Sequence, residues 1–193
     1  MNSSRDIYPS IYNKFINQFN LLRQNYSKLL NIRVDFHYAP CQPGNINKAY
    51  QDVVYLYHIF KLNNEGVIGC QCIMEHTDAG VLHIHALFFI NGQKHQKYYP
   101  FYRWLNDFWK NHTCGASHAV DCNDAKNYKH SVVGKSKNYY DAGCSQGIAY
   151  LARYFSKKSK KIISRIFTVI LSAVLMLKRH GEDQEVSLSN FLN

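Results

Sequence analysis

The chain is 193 residues long, 46% hydrophobic and 15% aromatic, which suits one folded domain with a sizeable core, or one domain plus a tail. A formal net charge of +10, with 15 tyrosines interleaved among lysines and arginines, favours an anionic polymer as partner, most simply nucleic acid. Met1 to Tyr12 is polar, so no signal peptide is expected, and cysteines at positions 41, 70, 72, 114, 122 and 144 follow no compact disulfide spacing, so free thiols in a reducing cytoplasm are expected.

In chain order, Ile11, Tyr12, Phe15, Ile16, Phe19 and Leu22 recur at helical spacing, which predicts an amphipathic helix over residues 10–26 with Ser10 as N-cap. Leu29 to Tyr38 follows and alternates as a strand from Ile32 onward. Its alternation puts Arg33, Asp35 and His37 on one side and Val34 and Phe36 on the other. Asp35 and His37 then either border a functional face or lie on a solvated one. Pro40 to Gly44 breaks the chain, and a second helix is predicted from Asn47 to Leu62, ending near Asn63-Asn64-Glu65-Gly66.

Two apolar runs, Val67 to Met74 and Val81 to Ile90, flank a short polar connection containing Asp78 and Gly80, the pattern of a β-hairpin. Side chains alternate faces along a strand, so His83 and His85 point the same way. A turn centred on Asp78-Ala79-Gly80 sets Glu75 opposite His83 and adds a carboxylate to that face. Two imidazoles and a carboxylate on a rigid platform form a candidate divalent-metal site with open positions for a substrate. Two histidines satisfied by hydrogen bonds on a polar strand face are the plainer alternative. Against it, Leu82, Ile84, Leu87, Phe88 and Phe89 make this a buried central strand, where a histidine pair without partners is costly.

Asn91-Gly92 closes the second strand, and Pro100 opens a helix through Trp109 that buries Phe101, Trp104, Leu105 and Phe108. Between His112 and Asp141 the chain is polar and rich in Asn and Lys, with one short strand expected near Ser131 to Val133. His112, Cys114, His118 and Cys122 can be assembled into a zinc site on paper, but their spacing fits no familiar finger. A helix capped by Ser145 then runs from Gln146 to Lys157, with Ile148, Leu151, Ala152 and Phe155 on one stripe and Tyr150, Arg153, Tyr154 and Lys157 on the other. A phenol ionises only near a pKa of about 10, and neighbouring cations favour the phenolate that a nucleophile needs. Two surface tyrosines on a basic helix are the alternative reading.

Beyond Lys157-Lys158-Ser159-Lys160-Lys161 the composition changes. Ile166 to Leu177 is an apolar run of 12 residues, or 16 counted from Ile162, which is shorter than the usual membrane span of about 20. A buried core segment is the expectation, and a basic-flanked membrane-associated segment is the alternative.

A strand with hydrophobic-His-hydrophobic-His-hydrophobic, followed by a helix with Tyr-x-x-Arg/Lys-Tyr, resembles the HUH endonucleases. More narrowly, the chain resembles the rolling-circle replication initiators of filamentous phages, of inovirus type. The likeness rests on Tyr26 to Phe36, on Glu75 with Leu82-His83-Ile84-His85, and on Tyr150 to Lys158, and it covers residues from about 10 to 158. The last motif is also similar to the two-tyrosine motif of initiators from small icosahedral single-stranded-DNA phages.

The resemblance implies an α+β fold, in which a central antiparallel sheet carries the His-x-His strand and is flanked by helices. It implies an HUH domain over residues 1–160 and a tail of unassigned role over 161–193. It further implies Mg²⁺ or Mn²⁺ held by His83, His85 and Glu75 against a scissile DNA phosphate. Tyr154 or Tyr150 would attack that phosphate, leaving a 5′-phosphotyrosyl link and a free 3′-OH, and a second tyrosine can close the displaced circle. Arg153, Lys157 and Lys158 are the expected DNA contacts. The partners implied are a single-stranded or hairpin origin, a host polymerase and a separate helicase, all in the bacterial cytoplasm. A relaxase or transposase of the same superfamily is an alternative, although no third histidine follows His85 before His95. A histidine-based nucleotide hydrolase would need a histidine where Leu87 stands. A non-catalytic basic DNA-binding module is the third alternative.

Overall fold

The computed structural model describes residues 7–39, 45–76, 81–113, 117–124, 132–138, 140–157 and 167–171. Along the chain run α1 (Pro9–Asn25), β1 (Lys28–His37), α2 (Ile46–Asn63), β2 (Val67–His76), β3 (Leu82–Asn91), α3 (Tyr99–His112), β4 (His118–Asp121), β5 (Ser136–Asn138), α4 (Ala142–Phe155) and β6 (Phe167–Leu171). The strands form one antiparallel sheet in the order β4-β1-β3-β2-β6, with β5 also paired to β1. This is an α+β fold with helices packed on the sheet.

Strand alternation separates two cores. Leu30, Ile32, Val34 and Phe36 of β1 share one face with Ile84, Ala86 and Phe88 of β3, and α2 and α3 cover it with Leu56, Phe60, Leu105 and Trp109. Leu29 of β1 and Leu87 and Phe89 of β3 point to the other face, covered by α1 and α4 through Phe15, Phe19, Leu22, Ile148, Leu151 and Phe155. Phe15 and Phe155 meet at 5.4 Å between ring centroids, locking the two helices together. Large side chains this deeply buried each contribute roughly 3–5 kcal/mol by the cost of truncation to alanine. The second face changes character along its length. It is apolar under the helices, and towards the other end it carries Asp35, His37, Glu75, His83 and His85, all half-buried.

β1 is held on both edges along its length. It pairs with β3 from Leu29 to His37, with β4 over Val34 to His37, and with β5 over Lys28 to Leu30. In the gap, the buried Asn123 side chain takes the place of a strand residue. Its Oδ1 accepts from the Arg33 backbone N–H at 2.8 Å, and its Nδ2 donates to the Arg33 carbonyl at 2.9 Å. Gly134 closes on Asn31 through a 2.8 Å backbone hydrogen bond. It has φ +74°, and a Cβ there would meet the Asn123 carbonyl oxygen at 2.6 Å, so only glycine fits.

Several boundaries differ from expectation. Helix α4 starts at Ala142 after Asp141, three residues before the expected Ser145 cap, because the Asp141 carbonyl already accepts from the Cys144 N–H. Among the described residues of the polar segment the strands are β4 and β5; Val133 forms an isolated bridge with Asn31, and Ser131 lies outside the described residues. The hairpin turn around Asp78-Ala79-Gly80 also lies outside them. Part of the apolar tail, Phe167–Leu171, joins the sheet beside β2, with Met74 opposite Phe167. No helix among the described residues is long and apolar enough to cross a membrane.

Candidate metal and nucleophile site

The hairpin register is the one anticipated: Glu75 lies opposite His83. On the other side of β3, His37 of β1 lies opposite His83 and Asp35 opposite His85. Asp35 and His37 thus border the histidine face and do not form a separate solvated one. Glu75, His83 and His85 each offer a ligand atom, all within 4.8 Å of one another.

His85 sits between two carboxylates. Its Nε2 is 3.1 Å from Glu75 Oε1 and its Nδ1 is 2.9 Å from Asp35 Oδ2. The second contact lies off the ring N–H direction, so it is a close ion pair more than an aligned hydrogen bond. Burial pulls the His85 pKa down, but the two carboxylates outweigh it and push it up to about 9. Burial raises the Asp35 carboxyl, and His85 with Arg33 outweighs that and holds it below its ordinary value. His37 is driven the other way, to about 4, by burial and by the neighbouring imidazoles of His83 and His118. Its ring is stacked on His118 at 4.8 Å and edge-on to His83 at 4.4 Å.

Helix α4 delivers Tyr154 to this cluster. The helix docks through Ile148, Leu151, Ala152 and Phe155, the stripe read from the sequence, and this turns its last turn towards the polar end of the face. The Tyr154 ring stands edge-on to His85 with centroids 5.9 Å apart. Tyr150, half exposed one turn earlier, makes no ring or hydrogen-bond contact with the histidines among the described residues. Of the two candidate tyrosines, Tyr154 is the one whose ring contacts a histidine among the described residues.

The cation beside Tyr154 is also not the expected one. Arg153 and Lys157 are exposed, while the buried Arg33 of β1 lies under the Tyr154 ring with Cζ 4.2 Å from the centroid. Burial raises the Tyr154 pKa; the charge and hydrogen bond of Arg33 oppose this, and Asp35 and Glu75 reinforce it, so the phenol stays above its ordinary value. Neighbouring helix cations therefore do not set up a phenolate here. Arg33 and Asp35 are the residues whose place in the site the sequence left open. Their only local signal is the strand alternation that puts them on the side of His37. Lys158 lies outside the described residues.

The zinc set drawn on paper does not assemble. His112 pairs with Asp52 at 2.8 Å, His118 stacks on His37, the Cys122 thiol donates to the Val120 carbonyl, and Cys114 lies outside the described residues. Among the described residues, Glu75, His83 and His85 form the one metal-type cluster. Compared with protein-family models, with curated proteins and with solved structures, the chain finds no match.

Proposed function

We propose that the protein nicks and rejoins single-stranded DNA through a covalent link to Tyr154, as the rolling-circle initiators that its motifs resemble do. The observation that carries this reading is the approach of Tyr154 to His85, within a cluster of two imidazoles and one carboxylate on a single sheet face. A tyrosine beside a buried histidine is common in cores. A tyrosine beside three convergent metal-type donors is the arrangement expected for a nucleophile and an electrophile held in reach of each other.

The donors fit a divalent ion. His85 can give up the Nε2 proton while Nδ1 stays 2.9 Å from the Asp35 carboxylate, whose charge holds the ring. Nε2 then faces Glu75 and His83 with a lone pair. Of the two ions expected, the imidazole-rich set suits Mn²⁺ better than Mg²⁺, which prefers oxygen ligands. When bound, such an ion supplies Lewis-acid polarisation of a phosphate oxygen and positive charge that favours a phenolate.

The remaining work falls to the chain. Tyr154 Oη forms a bond to phosphorus as its proton leaves, the P–O3′ bond breaks, and the 3′ oxygen takes up a proton. One phosphodiester is exchanged for another, so the 5′-phosphotyrosyl link keeps the energy needed for rejoining. Exposed Arg153 in the last turn of α4 and exposed Lys157 just beyond its end suit backbone phosphates flanking the cut.

The test is direct. The protein is incubated with a labelled, randomised single-stranded oligonucleotide pool and Mn²⁺, then resolved on a denaturing gel. A covalent adduct mapped by mass spectrometry to Tyr154 supports the reading. No adduct with any divalent ion, despite tight DNA binding, would favour a non-catalytic DNA-binding module.

A further inference from the structure

We infer that Arg33 is the positioning residue for the tyrosine nucleophile: clamped by Asp35, it holds the Tyr154 ring in fixed relation to His85. This rests on the nicking reading above and deepens it. Arg33 is only 3% exposed, and a guanidinium that deep in a protein must be paired. It uses its edge for that pairing. Nε lies 3.3 Å from Asp35 Oδ1 and Nη2 lies 3.0 Å from Asp35 Oδ2, a two-point contact that fixes the plane of the group. Beyond that pairing, its Cζ lies over the Tyr154 ring, 4.2 Å from the centroid.

The carboxylate that clamps Arg33 also touches the candidate metal ligand. Asp35 Oδ2 takes both Arg33 Nη2 and His85 Nδ1, the latter at 2.9 Å. Three successive contacts therefore join the nucleophile to the metal ligand: Tyr154 on Arg33, Arg33 on Asp35, Asp35 on His85. The base of this chain is rigid, because Asn123 brackets the backbone of Arg33 on one edge and Leu87 pairs with it on the other. Tyr154 comes from a helix that packs on the sheet and whose end is pinned by the Tyr8 N–H on the Ser156 carbonyl at 2.7 Å, so the backbone is held there and Arg33 acts on the ring. Neutralising Asp35 alone would not need a planar cation, since a lysine could do it. A guanidinium clamped on its own strand, with its Cζ over a tyrosine from another element, is what a positioning role requires.

The role applies in both directions of the exchange. In the cut, the phenol gives up its proton as the oxygen bonds to phosphorus and the P–O3′ bond breaks. In rejoining, a 3′-OH loses its proton to attack the same phosphorus, and the tyrosine oxygen leaves and regains one. In each case negative charge on the phenolic ring passes over the fixed guanidinium. An error of about 1 Å in placing the ring costs roughly 100-fold in rate.

The test uses the full-length chain, labelled globally with 3-fluorotyrosine. Among the 15 tyrosine signals, the Tyr154 resonance is assigned by its loss in Tyr154→Phe. In metal-free, DNA-free protein, Arg33→Met and Arg33→Lys are expected to shift and broaden that resonance. With the randomised oligonucleotide pool and Mn²⁺, the saturating rate of adduct formation should fall roughly 100-fold in Arg33→Met and roughly tenfold in Arg33→Lys. The half-saturating DNA concentration should stay within about twofold, because the buried Arg33 does not meet the DNA. If Arg33→Met does not fold, Arg33→Lys, which keeps a charge on Asp35, carries the test. Wild-type adduct rates in a folded variant, or an unmoved Tyr154 resonance, overturn the inference and leave the nicking reading standing. Absence of any adduct in the unsubstituted protein overturns both.

Discussion

On each side of the sheet a carboxylate, half-buried Asp35 or buried Asp52, holds a histidine, and the difference between the two pairs separates a site from a strut. On the α2/α3 side, Asp52 accepts from Tyr38 Oη and Lys48 Nζ at 2.6 Å each and pairs with His112 at 2.8 Å. Its partners Tyr38 and His112 tie α2 to the end of β1 and to α3, and half-exposed Lys48 joins it from α2 itself. On the α1/α4 side, Asp35 holds Arg33 and His85, and the chain of contacts continues outward to Glu75, His83 and Tyr154. Both carboxyls lie below their ordinary pKa, since hydrogen-bonded partners overcome the effect of burial in each. A depressed carboxylate therefore does not identify a site by itself. What distinguishes Asp35 is that its histidine has a second nitrogen turned towards further donors.

The largest expected effects fall on the Asp35 face. Tyr154→Phe removes one oxygen and keeps the ring over Arg33, so adduct formation should vanish on a denaturing gel while the thermal midpoint barely moves. His83→Ala with His85→Ala should likewise abolish Mn²⁺-dependent nicking and leave single-stranded DNA binding largely intact. Persistent nicking by that double variant would remove the metal from the mechanism.

Exchanging the same chemistry on the two faces sharpens the contrast. Asp52→Asn breaks a buried charged node and should cost about 3 kcal/mol in urea unfolding, with the nicking rate per folded molecule unchanged. Asp35→Asn should weaken Mn²⁺ binding by roughly 10–100-fold, read by paramagnetic resonance without DNA, because His85 loses the carboxylate that orients it. If Asp52→Asn also lowers metal affinity, the two faces are coupled and the strut is part of the site.

Proton linkage gives an intermediate effect. The folded pKa of His85, about 9 without metal, lies above its unfolded value of about 6.5. Its contribution to the metal-free fold is therefore complete below about pH 6.5 and is lost as pH rises through about 9. Asp52 has the opposite sign: its contribution is present above the unfolded carboxylate pKa of about 3.9 and is lost as pH falls through the lower folded value. Metal must displace the His85 proton, so Mn²⁺ affinity should rise by up to about tenfold per pH unit across the window from about 6.5 to 9. A flat affinity over that window would show that His85 is not a ligand.

The smallest effects belong to the outward cations at and just beyond the end of α4. Arg153→Gln and Lys157→Gln should each weaken DNA binding several-fold and reduce the slope of log affinity against log salt by about one. Neither substitution should move the Tyr154 fluorine resonance, since the cation under that ring is Arg33.

What the sequence alone determined lies within single elements or across one tight turn. Alternation put His83 and His85 on one side, a short hairpin brought Glu75 opposite His83, and helical spacing named Ile148, Leu151, Ala152 and Phe155 as the docking stripe. These readings succeed because side-chain direction in a strand or helix follows the backbone period and needs no partner. The tertiary structure alone decided that β1 lies beside β3, and hence that Asp35 reaches His85. It also replaced Arg153 and Lys157 with Arg33 as the cation at Tyr154, and left Tyr150 away from the histidines. Period fixes which way a residue points but not what stands opposite it. Strand order and helix placement come from burying two apolar faces at once, so contacts between distant segments become definite only when the whole sheet is packed.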